Sequence, residues 1–402
     1  PGVLTSTTYY RRNVTSGTCG TVSSASVKVT VYADLTAGAV GSPQTICYGT
    51  TPTGLTETTA PSGGTGTYTY QWQSSPDNST WTNVTGAVSA TYSPGSLTAT
   101  IYYRRNVTSG SCGTLSSPSV KITVYDNLTP GAIGSAQTIC YNTVPASLIE
   151  TTAPTGGTGV YSYQWESSTD NISWNGISGA TSATYTPGAL TTNTYFRRDV
   201  TSGSCGTVIS NSILITVYPQ FTPGTIGSDQ TLCYNTAPAG LTELTAPAGG
   251  TGAYTYQWQS SNDNITYTDI SGANTNIYSP GALTATTWYR RNVTSGGCGT
   301  LSSTPVKVTV YADLDPGTIG SPQSICYNTA PAGLTELTAA SGGTGTYTYQ
   351  WQSSADNSFW SNIPGATLST YSPGALTASI YYRRVVTSGS CGTVYSASVY
   401  IT

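Results

Sequence analysis

Nine cysteines are the residues of this 402-residue chain with the most definite chemistry. They lie at positions 19, 47, 112, 140, 205, 233, 298, 326 and 391, so their spacing alternates between 28 and 65 residues and has a period of 93. No Cys-x-x-Cys pair is present and the chain has no histidine, so the pattern does not match a zinc site. Regular cysteines in a chain rich in hydroxyl groups indicate disulfides formed in an oxidising compartment.

Two pairings of these cysteines are compatible with the spacing. Disulfides within each 93-residue repeat are the commoner arrangement, and we expect them. They would leave Cys19 without a partner, and closing each 65-residue loop would stabilise the fold by about 4 kcal/mol in the chain-entropy estimate. The expected pairs are Cys47–Cys112, Cys140–Cys205, Cys233–Cys298 and Cys326–Cys391.

A geometric argument keeps a second pairing open. Counting strands places Cys47 and Cys112 at opposite ends of one domain, whereas the Cα atoms of a disulfide lie within about 7 Å of each other. Bonds between neighbouring repeats would avoid this conflict, and free thiols or bonds between chains are further alternatives. The cross-repeat pairs would be Cys47–Cys205, Cys140–Cys298 and Cys233–Cys391.

Other catalytic or metal-binding chemistry finds little support in the sequence. Without histidine, a Ser-His-Asp or Cys-His site is excluded. The few acidic residues near the repeat junctions supply fewer oxygens than the six to eight that calcium binds. Four other acids recur once per repeat directly before an asparagine, which is typical of a turn and not of a general base; these are Asp77, Asp170, Asp263 and Asp356. We therefore predict a protein that is not an enzyme and has no cofactor.

A second set of aromatic residues follows these Asp-Asn turns and is the best candidate for a contact with a ligand. The residues are Trp81, Trp174, Tyr267 and Trp360. Aromatic rings near a hairpin on a sandwich face could stack on sugars or pack against a neighbouring chain. The alternative is that each ring is a cross-strand packing partner within its own domain.

Charge and hydropathy exclude two classes of partner. The chain has 13 basic and 16 acidic residues, a net charge of −3 and no basic run, so neither nucleic acid nor an anionic membrane is an expected partner. No apolar run approaches the roughly 18 residues of a membrane span. The remaining partners are other copies of the chain, neighbouring repeats in a filament or bundle, and surface glycans.

A tryptophan that recurs every 93 residues defines the domain organisation. Trp72, Trp165, Trp258 and Trp351 each follow a Gly-Gly-Thr-Gly turn and alternating aromatic and polar residues. Residues 1–32 are expected to be the C-terminal part of a truncated repeat, and both ends of the chain are expected to be cut from a longer array. The complete repeats are 33–125, 126–218, 219–311 and 312–402. We call these five segments repeats 1 to 5.

Within repeat 2, turn residues every 8–12 positions predict seven strands and an all-β, immunoglobulin-like β-sandwich. The predicted strands are 38–47, 54–60, 67–75, 79–85, 90–93, 99–108 and 114–125. Period-two alternation places Trp72 in the interior, and it places Arg105 inward with Tyr103 and Val107. We expect the arginine to stack on Tyr or Trp, with a ligand-binding arginine pair as the alternative. Short junctions containing proline predict that the tandem domains form an elongated rod.

Several motifs resemble tandem immunoglobulin-like or PKD-like repeats of large cell-surface adhesins of Bacteroidota, including the gliding-motility type. They are Gly-Gly-Thr-Gly-x-Tyr-x-Tyr-Gln-Trp, Tyr-Tyr-Arg-Arg-x-Val-Thr-Ser-Gly-x-Cys-Gly and a closing Val-x-Val-Thr-Val-Tyr. The resemblance covers the whole chain. It implies export by the type IX system and an extracellular, cell-surface location.

We therefore expect a non-catalytic structural repeat segment of a bacterial cell-surface adhesin or extracellular filament. A carbohydrate-binding repeat array is the first alternative. An accessory region of a secreted enzyme is the second.

Overall fold

The computed structural model describes residues 1–402, which form short strands and five 3₁₀ turns. Repeat 1 contains β1 (Thr8–Tyr10), β2 (Asn13–Thr15), β3 (Thr21–Ser23) and β4 (Val27–Val29). Repeat 2 contains β5 (Ala39–Val40), β6 (Gln44–Ile46), β7 (Glu57–Thr59), β8 (Thr69–Ser75), β9 (Thr82–Asn83), β10 (Ile101–Thr108), β11 (Thr114–Ser116) and β12 (Val120–Val124). Repeat 3 contains β13 (Ala132–Ile133), β14 (Gln137–Ile139), β15 (Glu150–Thr152), β16 (Ser162–Ser168), β17 (Asn175–Gly176), β18 (Thr194–Thr201), β19 (Thr207–Ile209) and β20 (Ile213–Val217).

The last two repeats follow the same order. Repeat 4 contains β21 (Thr225–Ile226), β22 (Gln230–Leu232), β23 (Glu243–Thr245), β24 (Thr255–Ser261), β25 (Thr268–Asp269), β26 (Thr287–Thr294), β27 (Thr300–Ser302) and β28 (Val306–Val310). Repeat 5 contains β29 (Thr318–Ile319), β30 (Glu336–Thr338), β31 (Thr348–Ser354), β32 (Ser361–Asn362), β33 (Ile380–Thr387), β34 (Thr393–Tyr395) and β35 (Val399–Ile401). The 3₁₀ turns are Gly17–Cys19, Gly110–Cys112, Gly203–Cys205, Gly296–Cys298 and Gly389–Cys391.

The chain forms two compact units. The first comprises Pro1–Gln137, Pro145–Gly188 and Asn193–Thr216, and the second comprises Thr138–Val144, Ala189–Thr192 and Val217–Thr402. Repeat 2 therefore lies wholly in the first unit, and repeats 4 and 5 lie wholly in the second. No helix of the structure has the length and apolarity that crossing a membrane would require.

Each complete repeat is an immunoglobulin-like β-sandwich, as repeat 2 illustrates. Its larger sheet has the strand order β6-β12-β10-β8-β9, with β11 also paired to β10. In this sheet β6 runs parallel to β12, and β12 runs antiparallel to β10. The smaller sheet pairs β5 with β7 and is extended by the isolated bridges Leu55–Tyr92 and Thr50–Leu97. The facing surfaces of the two sheets enclose the core.

The strands of repeat 2 differ from the prediction at four places. The predicted strand 79–85 is reduced to the two residues of β9. The predicted strand 38–47 is divided at Gly41, whose φ of +60° breaks the ladder, so β5 joins the smaller sheet and β6 joins the larger one. The predicted strand 114–125 is divided after β11, where the buried Ser117 hydroxyl accepts the backbone N–H of Arg105 at 3.0 Å in place of a backbone carbonyl oxygen. The predicted strand 90–93 is reduced to the single bridge of Tyr92. The all-β sandwich is confirmed, but its strands are shorter and more numerous.

The recurring tryptophan is the centre of each core, as the alternation predicted. The Trp72 side chain is fully buried among Val40, Leu55, Tyr103 and Ile122, which come from both sheets. Its indole N–H donates to a backbone carbonyl oxygen at 2.9 Å, so burial leaves no unpaired donor. Burying a side chain of this size contributes several kcal/mol to the free energy of folding.

A fully buried arginine packs beside this tryptophan in each complete repeat. In repeat 2 the Arg105 guanidinium lies 4.5 Å from the centroid of the Tyr70 ring. It donates hydrogen bonds to the Glu57 carboxylate at 2.6 Å and to the Ala90 carbonyl oxygen at 2.7 Å. The equivalent pairs are Arg198–Glu150, Arg291–Glu243 and Arg384–Glu336. The inward orientation and the stacking are therefore confirmed. Internal partners accept hydrogen bonds from the terminal guanidinium nitrogens, while Nε is buried without a hydrogen-bond partner.

The Asp-Asn pairs form turns that order the hairpin before each candidate contact aromatic, which is Tyr267 in repeat 4. In repeat 4 the Asp263 carboxylate accepts backbone hydrogen bonds from Ile265 and Thr266, each at 2.8 Å. These bonds stabilise the anion and hold the pKa of Asp263 near about 2. The following Asn264 has a φ of +61°, a conformation that asparagine tolerates. The carboxylates are thus used in turns, as predicted.

Removing the carboxylate partner of a buried arginine should destabilise its own repeat. In Glu243→Ala the buried Arg291 guanidinium keeps only carbonyl partners, so we expect a loss of about 2–4 kcal/mol. Hydrogen exchange in residues 219–311 should increase, whereas residues 33–125 should be unchanged because repeats fold largely on nearest-neighbour contacts. Gln259→Ala, which removes the 2.7 Å partner of the outward Arg290, is the control, with an expected cost under about 1 kcal/mol. Equal exchange in the two variants would contradict the predicted role of Glu243.

Alkaline pH should destabilise repeat 4 through a buried phenol. Burial raises the pKa of Tyr289 to about 12, against about 10 for an unfolded tyrosine. The neutral phenol therefore favours folding fully below about pH 10, and this contribution is lost as the pH rises towards about 12. Tyr289→Phe should make repeat 4 more resistant to alkaline unfolding, measured by hydrogen exchange against pH. Repeat 3, where Phe196 lies at the same position, is a built-in control, and an unchanged alkaline midpoint in the variant would contradict the prediction.

Candidate functional site

The first cysteine of repeats 2, 3 and 4 directly follows a short strand and begins a fixed turn. In repeat 2, Cys47 directly follows β6. The carbonyl oxygen of Cys47 accepts hydrogen bonds from both the backbone N–H and the hydroxyl of Thr50, at 3.1 and 2.7 Å. The turn is therefore closed on the cysteine itself, which holds its sulfur at the end of the larger sheet.

The second cysteine ends a 3₁₀ turn whose geometry depends on buried serine and on glycine. In repeat 3 the Cys205 N–H donates to the carbonyl oxygen of Ser202 at 2.9 Å. The Ser202 hydroxyl is fully buried and accepts the N–H of Thr158 at 2.9 Å. Gly203 has a φ of +50°, which side-chain-bearing residues rarely adopt. The Ser-Gly-x-Cys-Gly motif thus presents the cysteine at the other end of the sandwich.

Three disulfides join the first cysteine of one repeat to the second cysteine of the next. Their Cα atoms are 5.2 to 5.4 Å apart, and each bond closes a sequence separation of 158 residues. The bonds are Cys47–Cys205, Cys140–Cys298 and Cys233–Cys391. The cross-repeat alternative is therefore the arrangement in this structure.

The within-repeat pairing that we expected is corrected by these bonds. The pairs Cys47–Cys112, Cys140–Cys205, Cys233–Cys298 and Cys326–Cys391 do not form. The reason is strand direction: β6 is parallel to β12 and β12 is antiparallel to β10, so β6 and β10 end at opposite ends of the sandwich. Cys47 follows β6, and Cys112 follows β10. Cys19, Cys112 and Cys326 are exposed free thiols.

The surface around each disulfide is partly apolar. In the second unit a hollow of about 160 Å³ at the repeat 3 to repeat 4 junction is lined by residues of both repeats. These include Cys140, Tyr141, Phe221, Cys298 and Leu301. The Phe221 ring stacks on Tyr254 of the same repeat, with ring centroids 6.0 Å apart. Side chains of the two neighbouring repeats therefore line one hollow beside the disulfide.

The exposed fraction of the tyrosine that follows each first cysteine shows whether another repeat covers this surface. Tyr48, Tyr141 and Tyr234 are 45%, 38% and 39% exposed, whereas Tyr327, next to the free Cys326, is 78% exposed. The sequence interpretation did not select these residues. The recurring Cys-Tyr pair was the pattern that could have identified them.

The four candidate contact aromatics lie away from the cysteines and pack against arginine. The Arg104 guanidinium lies 4.2 Å from the ring centroid of Trp81, and it also donates to the Gln73 side chain at 2.8 Å. The ring centroids of Trp174, Tyr267 and Trp360 lie 4.2, 4.0 and 4.2 Å from the guanidinium groups of the equivalent arginines, which are Arg197, Arg290 and Arg383. Each ring is partly buried, and one face is covered by a guanidinium from its own repeat. This geometry matches the packing alternative better than a free sugar platform.

The fold and the junctions define this protein as a tandem array of immunoglobulin-like β-sandwich repeats linked by cross-repeat disulfides. The chain belongs to the family described as Domain of unknown function (DUF8696). The family model matches residues 1–33, 36–126, 129–219, 222–312 and 315–402. A comparison with functionally curated proteins finds no significant match.

Solved structures that resemble the chain are also multi-domain segments. Titin domains I67–I69, in an E-to-A mutated variant, share 12% identity over 66% of this chain and 95% of that chain, with a TM-score of 0.39. The three N-terminal domains of the bacteriophage RB49 Highly Immunogenic Outer Capsid protein share 14% identity over 69% and 99%, with a TM-score of 0.32. Sidekick-1 immunoglobulin domains 1–4 share 12% identity over 90% and 96%, with a TM-score of 0.26. Nothing about function follows from similarities this low.

Proposed function

We propose that the chain is a non-catalytic, load-bearing segment of a bacterial cell-surface adhesin or extracellular filament. The observation that supports this most strongly is that the disulfides connect successive repeats and do not close loops within them. A bond within a domain protects that domain alone. A bond between domains adds a second covalent connection across the junction, which keeps the two domains joined under tension or after proteolytic cleavage.

The disulfides shorten the covalent path through the molecule. A tension applied to the two ends follows residues 1–47, crosses to Cys205, continues to Cys233, and crosses to Cys391 and the end of the chain. This path contains 88 of the 402 residues. The rest of the chain cannot be pulled out while both bonds are intact.

The cores lie mostly outside this path. In repeat 4 the path runs from Pro219 to Cys233 and then leaves the repeat, so Trp258 and Arg291 are bypassed. The path leaves repeat 4 at Cys233, and the polypeptide leaves it at Tyr311. These two points lie side by side, because the Tyr311 N–H donates to the carbonyl oxygen of Leu232 at 2.9 Å. In repeat 4 tension therefore bypasses β24 and β26, whereas in repeat 3 it passes through β19 and β20, which lie between Cys205 and Pro219.

The same bonds support the proposed location. Disulfides form and persist in oxidising, extracytoplasmic compartments, which supports an extracellular position. The resemblance of the repeat motifs to those of Bacteroidota surface adhesins supports a cell-surface array in that lineage. The buried arginines and the Asp-Asn carboxylates have internal hydrogen-bond partners, which supports a structural role for the charged residues most suited to catalysis.

Single-molecule extension of the full chain, held at its two termini, tests the proposed path. At about 3.4 Å per extended residue, the intact protein should reach a contour length of only about 300 Å. Full reduction should increase this length to about 1,400 Å, because all residues then bear the tension.

Two variants make the measurement specific. Cys233→Ser breaks a bond on the path and should lengthen the oxidised chain, whereas Cys326→Ser alters a free thiol and should not. An oxidised length of about 500 Å, the value for bonds within each repeat, would contradict the proposal. So would equal lengths before and after reduction.

A further inference from the structure

The two covalent connections between neighbouring repeats leave the first repeat side by side. At the junction of repeats 2 and 3, one connection is the peptide bond between Tyr125 and Asp126, and the other is the disulfide of Cys47. The Tyr125 N–H donates to the carbonyl oxygen of Ile46, the residue before Cys47, at 2.9 Å. The junction peptide and the disulfide therefore start from adjoining points of repeat 2.

In repeat 3 a single turn receives both connections. It is the Gly-Gly-Thr-Gly turn at positions 156–159. The Gly157 N–H donates to the carbonyl oxygen of Asp126 at 2.9 Å, which holds the junction peptide. The next N–H along the chain, that of Thr158, donates to the buried Ser202 hydroxyl at 2.9 Å. Since Ser202 is the N-cap of the 3₁₀ turn that ends at the second cysteine, consecutive amides hold the junction peptide and the cysteine turn.

Two adjacent glycines permit this double contact. A methyl group added at Gly156 would overlap the carbonyl oxygen of Asn127, and one added at Gly157 would overlap the Ser202 hydroxyl. In contrast, Gly159 faces open space, although its φ of +81° is close to the +76° of Gly156. Gly156 is therefore required for the close approach of the junction peptide, whereas Gly159 is required only for its own backbone conformation.

The other two disulfide-linked junctions have the same arrangement. In repeat 4 the Gly250 N–H donates to the carbonyl oxygen of Pro219 at 2.8 Å, and the Thr251 N–H donates to the Ser295 hydroxyl at 2.9 Å. In repeat 5 the corresponding pairs are Gly343–Ala312 and Thr344–Ser388, each at 2.9 Å. The contact is therefore present at all three junctions that carry a disulfide.

We propose that the Gly-Gly-Thr-Gly turn directs the second cysteine of its own repeat to the first cysteine of the preceding repeat. Because it binds the junction peptide and the cysteine turn together, it holds the two thiols beside each other before they are oxidised. Its glycines are positioning residues, since they act through the backbone and the buried serine. The proposal deepens the load-bearing function and rests on the cross-repeat bonds that this function uses.

Effective concentration is the physical basis of this role. Two thiols on repeats joined by a flexible linker meet at a limited effective concentration, and a fixed junction raises it. With glutathione disulfide as the oxidant, one protein thiolate attacks it and releases one glutathione, and the second protein thiolate then displaces the other glutathione. Two protein thiols are thereby oxidised to one disulfide, and one glutathione disulfide is reduced to two thiols. A loosened junction shifts this equilibrium towards the protein thiols.

The test equilibrates the full chain with a series of ratios of oxidised to reduced glutathione and quantifies each disulfide by peptide mass mapping after alkylation. In Gly156→Ala the equilibrium constant for forming Cys47–Cys205 should fall about tenfold relative to Gly159→Ala. Both substitutions strain a left-handed backbone, but only the first displaces the junction peptide. Hydrogen exchange at the Gly157 amide should increase in the same variant, because its bond to Asp126 is lost.

The second disulfide of repeat 3 separates positioning from unfolding. Cys140 belongs to the same repeat and is bonded to Cys298, whose own turn is unaltered. In Gly156→Ala the equilibrium of this bond should therefore be unchanged. Equal weakening of both bonds would mean that the turn only supports the fold of repeat 3, and it would overturn the proposal. Equal Cys47–Cys205 equilibria in the two glycine variants would overturn it as well.

A second pair of variants repeats the test at another junction. A methyl group at Gly342 would overlap the carbonyl oxygen of Asp313, whereas Gly345 faces open space. Gly342→Ala should therefore weaken Cys233–Cys391 about tenfold relative to Gly345→Ala, and no difference between them would contradict the proposal. The extension of the unaltered chain does not depend on these variants, so the positioning role can fail while the load-bearing function stands.

Discussion

Strand direction decides how the repeats are connected. The strand that leads to the first cysteine of a repeat runs antiparallel to the strand that leads to the second. In repeat 2, β6 is parallel to β12 while β10 is antiparallel to it, so Cys47 and Cys112 lie at opposite ends of the sandwich. A disulfide cannot span that length. The same opposition places Cys47 beside Cys205 of the following repeat, and the array is cross-linked from one junction to the next.

The interior of each repeat makes this connection possible by holding the two ends at fixed positions. A fully buried tryptophan packs between the sheets, and a fully buried arginine beside it is neutralised by a glutamate and stacked on tyrosine. These groups find most of their hydrogen-bond partners within their own repeat, and the core of repeat 2 contains only residues of that repeat. At the junction of repeats 3 and 4, one covalent bond lies beside a hollow lined by Tyr141, Phe221 and Leu301.

Much of this arrangement could be predicted from the sequence, because strands have a period of two. The alternation around Trp72 and Arg105 placed both side chains in the core, and the Asp-Asn pairs indicated turns. The pairing of the cysteines could not be decided in the same way, since general prevalence favoured bonds within a repeat while strand counting argued against them. The division of the first strand at Gly41 was also missed, because it depends on which sheet each half joins. The junction tyrosines went unselected, since their role requires a neighbouring repeat.

Cutting the polypeptide between two repeats tests most directly whether neighbours are covalently joined. A specific protease site inserted at Ala312, between repeats 4 and 5, would separate residues 1–312 from 313–402 once cleaved. If Cys233 is bonded to Cys391, the cleaved protein should remain a single covalent species on a non-reducing gel and separate into two fragments only after reduction. Fragments that separate without reductant would show that no disulfide crosses this junction, and they would contradict a covalently cross-linked array.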